Sequence, residues 1–292
     1  MKTKYSTLTA FLFLFCTLTN AQHRSVTHLH SKEHIPVNTL PARTWWNLLH
    51  YAIHIIPDYE TRFITGTNTI TFFAQQAGAT VQIDSQEPMR ITKITRKGAV
   101  LAFQKEKNAY IIAFPQEIKK HETETITIHF EGHPQTAVNP PFDNGWIWAK
   151  DKEGRPWMSV ACQGSGASIW LPCKDVLYDE PDKGVTFSIK VPDTLVAVAN
   201  GRLQKRLDNN DGSVTYLWKV QSPINNYNII PYIGKYVTWQ KKYTGMSRKL
   251  DCDFWVMDYS LDRSKQHLKQ VDTMIRSYEY WLGPYPFYKD GY

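Results

Sequence analysis

The residues with the most chemical potential in this 292-residue chain lie between Ala161 and Asp182. That window holds the thiols Cys162 and Cys173, the hydroxyls Ser165 and Ser168, the amide Gln163, and the carboxylates Asp175, Asp179, Glu180 and Asp182. Gly164, Gly166, Pro172 and Pro181 punctuate it. Clustered carboxylates can act as a glycosidase pair or hold calcium, but calcium needs more regularly spaced oxygen ligands than occur here. The stiffening prolines favour a structural use, in which the acids accept backbone N–H groups and cationic partners. Gly164 and Gly166 lack a following Lys-Ser/Thr pair, so they read as backbone freedom beside a cleft and not as a phosphate cradle. Gly164-Ser165-Gly166 is not a Gly-x-Ser-x-Gly elbow, and neither serine has a His and an Asp in nearby motifs. Gln163 stands apart. Its amide oxygen can accept from an ammonium while its NH2 reaches a carbonyl, or it can simply tie down the glycine loop.

Metal-ligand spacing is scarce elsewhere. His-Glu-x-x-His does not occur, and His121-Glu122, which begins like it, meets Thr125 where the second histidine would stand. His30 and His34 can share a helix face but have no downstream partner ligand, so they read as part of a solvated leader. Trp146, Trp148, Trp157 and Trp170 crowd the region of the window and can either stack on sugars or pack between sheets, with core packing the commoner use. Pro140 to Gly145 reads as an exposed loop bordering the cleft.

The elements that must position these residues are mainly strands. Apolar residues alternate at Tyr51, Ile53 and Ile55, at Ile70 and Phe72, at Ile126, Ile128 and Phe130, at Val185, Phe187, Ile189 and Val191, and at Val214, Tyr216 and Trp218. Turn residues such as Asn200-Gly201 and Asn209 to Gly212 separate later runs. These runs predict an antiparallel β-sandwich or saddle-shaped sheet. After Leu250, Cys252, Phe254 and Val256 the period changes to that of a helix, with Ser260 as its expected cap and Leu261, Leu268, Val271, Ile275, Tyr278 and Leu282 as its apolar face. Gly283-Pro284 stops it. A helix with so wide an apolar face needs a partner, so the chain reads as cut inside a second domain.

Lys2, Lys4, the apolar run Leu8 to Leu18 and Ala21 have the layout of a secretory signal peptide, and the run is too short to span a membrane. The expected organisation is therefore a signal peptide over 1–21, a flexible leader over 22–43, a β domain over 44–258 and the start of an incomplete domain over 259–292. Secretion or periplasmic export follows, with no transmembrane segment. Cys16 leaves with the signal, so Cys162, Cys173 and Cys252 remain in an oxidising compartment, either with Cys162 and Cys173 paired or as buried free thiols. The formal charge of +7 includes Lys2 and Lys4, and the remaining cations are scattered among acids. That distribution excludes a nucleic-acid stripe.

The Gln163 to Asp182 window, the Val198-Ala199-Asn200-Gly201 turn and Tyr285-Pro286-Phe287 after an amphipathic helix closely resemble the zinc aminopeptidases of the aminopeptidase N (M1) family. The resemblance runs from about Thr44 to Tyr292. It implies a β domain followed by a truncated, thermolysin-like α-helical catalytic domain, and places Gln163 in the pocket for the first peptide side chain, near the free amino terminus. The family's zinc ligands, its general-base Glu and its Gly-x-Met-Glu-Asn motif are absent here, so no catalytic residue is assigned and no metal site is expected in this chain. Zinc belongs to a full-length relative, the partner to a peptide with a free amino terminus, and the missing catalytic domain would act in cis. The alternative from a different class is a secreted non-catalytic binding module for peptide or carbohydrate, built on the tryptophan cluster.

Overall fold

Alternating apolar side chains bury one face of each strand, and the strands pair so that these faces meet. The structure, a computed structural model, describes residues 41–162 and 164–292. The segment expected to be a signal peptide, most of the expected leader with His30 and His34, and Gln163 lie outside the described residues.

After a helical turn, α1 (Pro41–Thr44), the chain runs through β1 (Trp46–Asp58), β2 (Phe63–Ala74), β3 (Gly78–Asp84), β4 (Arg90–Arg96), β5 (Ala99–Val100), β6 (Phe103–Glu106), β7 (Ala109–Ile118) and β8 (Thr123–Gly132). It continues through β9 (Gly145–Lys150), β10 (Pro156–Ala161), β11 (Val185–Pro192), β12 (Val196–Val198), β13 (Arg202–Asp208), β14 (Ser213–Val220), β15 (Tyr232–Gly234), β16 (Tyr236–Thr244) and β17 (Lys249–Met257). An eight-stranded sheet has the order β13-β14-β11-β1-β2-β8-β4-β5, and a four-stranded sheet the order β12-β15-β10-β9. A three-stranded sheet, β3-β7-β6, and the hairpin β16-β17 complete the fold. The chain is mainly β, as the alternation predicts.

Pairing is antiparallel except between β1 and β11, which run parallel with Tyr51 opposite Val185. A parallel pair requires a long crossover, and here the crossover is the whole of β2 to β10 with the following window. One consequence matters for function: the window returns the chain to the centre of the large sheet.

The inward faces are those read from the sequence. Tyr51, Ile53, Ile55, Ile70, Phe72, Ile126, Ile128, Phe187, Ile189, Tyr216 and Trp218 are all buried, in one cluster with Trp146, Trp148, Met158 and Val160 of the small sheet. Each such side chain contributes about 1.5–3 kcal/mol of transfer free energy, so this cluster dominates the stability of the sandwich. Gly66 does not interrupt a strand, because β2 runs continuously from Phe63 to Ala74.

The carboxy-terminal helices depart from the expected register. Helical structure begins with a 3-10 turn over Asp258–Ser260, and Ser260 makes no side-chain capping bond to α2 (Leu261–His267). A further 3-10 turn over Leu268–Gln270 separates α2 from α3 (Val271–Leu282), which Gly283 ends at φ 88°. That turn rotates the buried stripe onto Val271, Ile275 and Glu279, which pack with Tyr243, Leu250, Cys252 and Phe254 of the β16-β17 hairpin. Tyr278 and Leu282, expected on the buried face, are 59% and 80% exposed. Glu279 replaces them as the anchor. It accepts from the hydroxyls of Tyr243 at 2.9 Å and Tyr288 at 3.0 Å, and from the N–H groups of Met246 and Tyr285, each at 3.2 Å. Burial alone would raise its pKa, but these donors hold the carboxyl below the ordinary value.

On the eight-stranded sheet Glu124 of β8 is held by Arg96 at 2.6 and 3.0 Å and by Lys97 at 3.1 Å. The Arg96 hydrogen bonds, outweighing desolvation, lower its pKa from 4.5 to about 2. A folded-state value below the unfolded one stabilises the protein above pH 4.5, and that contribution disappears as pH falls from 4.5 towards 2. Urea denaturation across that interval should show the chain losing stability, and Glu124→Gln should flatten the loss while costing about 1–3 kcal/mol at neutral pH. An unchanged pH profile in the variant would show that the ion pair is not formed.

Candidate functional site

The window Cys162–Asp182 is a loop whose backbone polar groups must find partners without a ladder, and its side chains are arranged to supply them. Strand β10 delivers the chain at Ala161, opposite Gly145 of β9. The turn that follows closes on itself, with the N–H of Gly166 donating to the carbonyl of Cys162 at 2.9 Å. Asn144 accepts from the N–H of Gly164 at 2.9 Å, tying the Pro140–Gly145 loop to the turn. The Gln86 amide donates to the carbonyl of Ser165 at 2.7 Å and to the Ser168 hydroxyl at 2.9 Å. Both neighbours of Gln163 are thereby fixed.

Gly166 has φ 82° and lies against the carboxylate of Asp175, so a Cβ there would overlap that carboxylate as well as strain the backbone. Asp175 accepts from the N–H of Ser168 at 3.0 Å, at the start of the 3-10 turn Ala167–Ile169. Its own N–H donates to Asp84 at 3.1 Å. Glycine, acid and turn form one unit.

Two ion pairs underlie the loop, and both are buried. Arg43, read from the sequence as leader, pairs with Asp84, which also accepts from the Gln82 amide at 2.9 Å. Burial pushes the Asp84 carboxyl above its ordinary value, against the pull of Arg43. Lys174 is fully buried and pairs with Asp179, donates to the carbonyl of Trp46 at 2.7 Å, and lies 4.0 Å from the Trp46 ring centroid. Desolvation lowers its pKa, opposed by the Asp179 carboxylate. Asp179 also accepts from the N–H of Leu48, and Asp182 accepts from the Asn47 amide at 2.7 Å. Asp179 and Asp182 therefore serve as acceptors that fasten the window to β1, while Asp84 of β3 accepts from its backbone at Asp175.

The thiols and Ser168 are not activated as nucleophiles here. Burial pushes the Cys162 thiol up to about 12, reinforced by Asp175, and raises Cys173 well above its ordinary value. Cys162, Cys173 and Cys252 are free and buried. Ser168 is buried, with its hydroxyl engaged by Gln86. Among the described residues no group of three or more His, Cys, Asp or Glu is placed to hold a metal ion.

Against the turn lies a cleft of about 490 Å³ on the outward face of the β9-β10 pair. Ile147, Trp157, Cys162, Tyr227 and Tyr232 line it, with the Pro140-Pro141 segment at its rim. Trp157 donates to the Tyr236 hydroxyl at 2.7 Å, which fixes one wall. The cleft thus lies at Cys162, immediately before Gln163, and Gln163 itself is outside the described residues. Trp146, Trp148 and Trp170 point to the other side of the sheet and are buried, with ring centroids 5.5 Å apart for Trp146–Trp148 and for Trp146–Trp170. They form core, not a sugar platform.

Residues 47–227 match the Peptidase M1 N-terminal domain. The chain belongs to that family. It is similar to leucine aminopeptidase 2 of Vanderwaltozyma polyspora, with 29% identity over 132 residues that make up 44% of this chain and 19% of that protein. Its fold is that of the M1 zinc metallopeptidase from Deinococcus radiodurans, at 16% identity and a TM-score of 0.68. A variant of that enzyme bound to a Tyr-Ser-Ala substrate superposes with a TM-score of 0.72 at 17% identity. In both cases 85% of this chain is covered and 56% of the other, so the M1 chain described here spans little more than half the length of its structural neighbours.

Sequence reading located the M1 window but missed what holds it. Lys174, Arg43, Asn68, whose amide donates to the carbonyl of Pro172 at 2.9 Å from the buried centre of β2, and Asn144 all support the loop. The only available signal was a polar residue where alternation demands an apolar one, as at Asn68.

The glycine pair provides a direct check. Gly166→Ala should destabilise the fold by about 2–4 kcal/mol, combining positive-φ strain with displacement of Asp175. Gly164→Ala, whose Cβ would meet the movable Asn144 side chain first, at 3.1 Å, should cost less than about 1 kcal/mol. Equal losses in guanidinium melts of the two variants would contradict this account of the turn.

Proposed function

We propose that this chain is the substrate-cleft portion of a secreted zinc aminopeptidase that removes residues from the amino termini of peptides. Gln163 is its contribution to substrate binding, with the amide oxygen accepting from the peptide's ammonium group. The observation that carries this reading is the cleft lined by Cys162, the residue before Gln163, beside a turn whose described residues are held by Asn144, Gln86 and Asp175. The peptide complex of the Deinococcus radiodurans neighbour supports a peptide as ligand.

Zinc and the base that activates its water are not among the described residues, and they belong in this reading to a helical portion acting in cis. The exposed stripe Met274, Tyr278, Trp281 and Leu282 on α3 supports such a partner, since a helix with apolar residues on two faces packs on two sides. The domain organisation follows: a signal peptide over 1–21, a leader, a β domain to about 258, and the start of the helical domain beyond it.

Two measurements test the proposal. The 292-residue chain should release no product from leucine p-nitroanilide in zinc-containing buffer, and turnover there would show that its chemistry has been misplaced. In calorimetric titrations Leu-Gly-Gly should bind about tenfold more tightly than its N-acetylated form, the scale of one hydrogen bond to a charged group. Gln163→Ala should erase that difference. Equal affinities for the free and acetylated peptides in the unmutated chain would remove Gln163 from the site.

A further inference from the structure

A second groove, of about 660 Å³, lies on the opposite side of the β16-β17 hairpin from α3. Residues on one face of an antiparallel pair stand opposite each other, and this hairpin aligns three such pairs: Thr238 with Trp255, Gln240 with Asp253, and Lys242 with Asp251. All six line the groove, and Arg202 and Leu203 at the start of β13 close it from the side.

The charges of this ladder are already neutralised within the protein. Arg202 donates to Asp253 at 2.9 Å and to the carbonyl of Asp251 at 2.9 Å, and Lys242 lies 3.8 Å from Asp251. Lys241, which also borders the groove, pairs with Asp272 at 2.6 Å. A strongly anionic ligand would meet Asp251 and Asp253, and a cationic one Arg202 and Lys242. What the groove leaves available is the exposed, bifunctional amide of Gln240 and hydroxyl of Thr238, the remaining acceptor lone pairs of the two paired aspartates, and the half-buried indole of Trp255. Trp255 stacks edge-on against Trp218 at 5.6 Å, which fixes its plane. The ladder presents side chains and not strand backbone, so it offers no edge to an extended peptide.

We propose that this groove binds a neutral oligosaccharide. Sugar hydroxyls both donate and accept, matching an amide, a hydroxyl and carboxylates already held in place by cations, and the apolar face of a pyranose ring packs on an indole. Two residue steps of about 6.8 Å along each strand give the ladder room for a short oligosaccharide. The site shares no lining residue with the cleft at Cys162.

Calorimetric titration of the 292-residue chain with chitotetraose, cellotetraose and maltotetraose tests the proposal. At least one should bind saturably at millimolar concentration, and the double variant Thr238→Ala/Gln240→Ala should weaken it about tenfold, as expected for losing hydrogen bonds from two groups. Both side chains are exposed and bonded to no other described residue, so the variant retains its fold, which far-UV circular dichroism verifies. No saturable binding of any of the three sugars, or binding that the double variant leaves intact, would overturn the assignment, as would a preference for trialanine over all three.

Discussion

The buried ionic layer under the window is the constraint from which the site follows. Lys174 with Asp179 and Arg43 with Asp84 place four charges in the interior, where desolvation of each ion costs several kcal/mol unless geometry and further hydrogen bonds offset it. The offsets are visible: a backbone carbonyl and an indole ring for Lys174, two backbone N–H groups and an amide shared among the aspartates. Such a layer adds little net stability, but each charge tolerates only one arrangement of its neighbours. It therefore fixes where the loop runs as it returns past β3 and β1. A hydrophobic underlay could have been as stable and less specific.

The same layer explains how distant parts of the chain converge. Arg43 precedes β1, Asp84 ends β3, and Lys174 and Asp179 belong to the crossover that makes β1 and β11 parallel. A crossover of more than a hundred residues carries a slowly growing closure entropy, so its length alone is tolerable. What it needs is a specific anchor at its return. The bridge between Asp84 and Cys173, two backbone hydrogen bonds at 2.9 and 3.1 Å, supplies it beside the ion pair.

Strands were legible in the sequence because period-two burial writes itself residue by residue: Tyr51, Ile53 and Ile55 need no knowledge of their partners to declare a face. The kind of pairing was not. Whether β11 joins β1 parallel or antiparallel depends on contacts made across the intervening strands, which leave no local trace. Helix α3 shows the opposite failure. Its apolar residues were identified correctly, but a 3-10 turn at Leu268–Gln270 altered the phase, and Glu279, polar and invisible to a hydrophobic pattern, took the buried position. Gly166 and Asp175 were both noticed as loop residues, while their contact, the reason only glycine fits, required three dimensions.

Rigidity around Gln163 bears on how an amide can recognise an amino terminus at all. A single neutral acceptor facing an ammonium group gains little over water unless it is held in place before the ligand arrives, because ordering a flexible side chain and loop on binding consumes much of the interaction. The backbone on either side of Gln163 is restrained by bonds from Asn144 and Gln86, and behind these by Asp175 and the ion pairs. In the proposed reading, that division of labour accounts for the charged residues of the window: Lys174, Asp175, Asp179 and Asp182 organise the backbone that flanks Gln163.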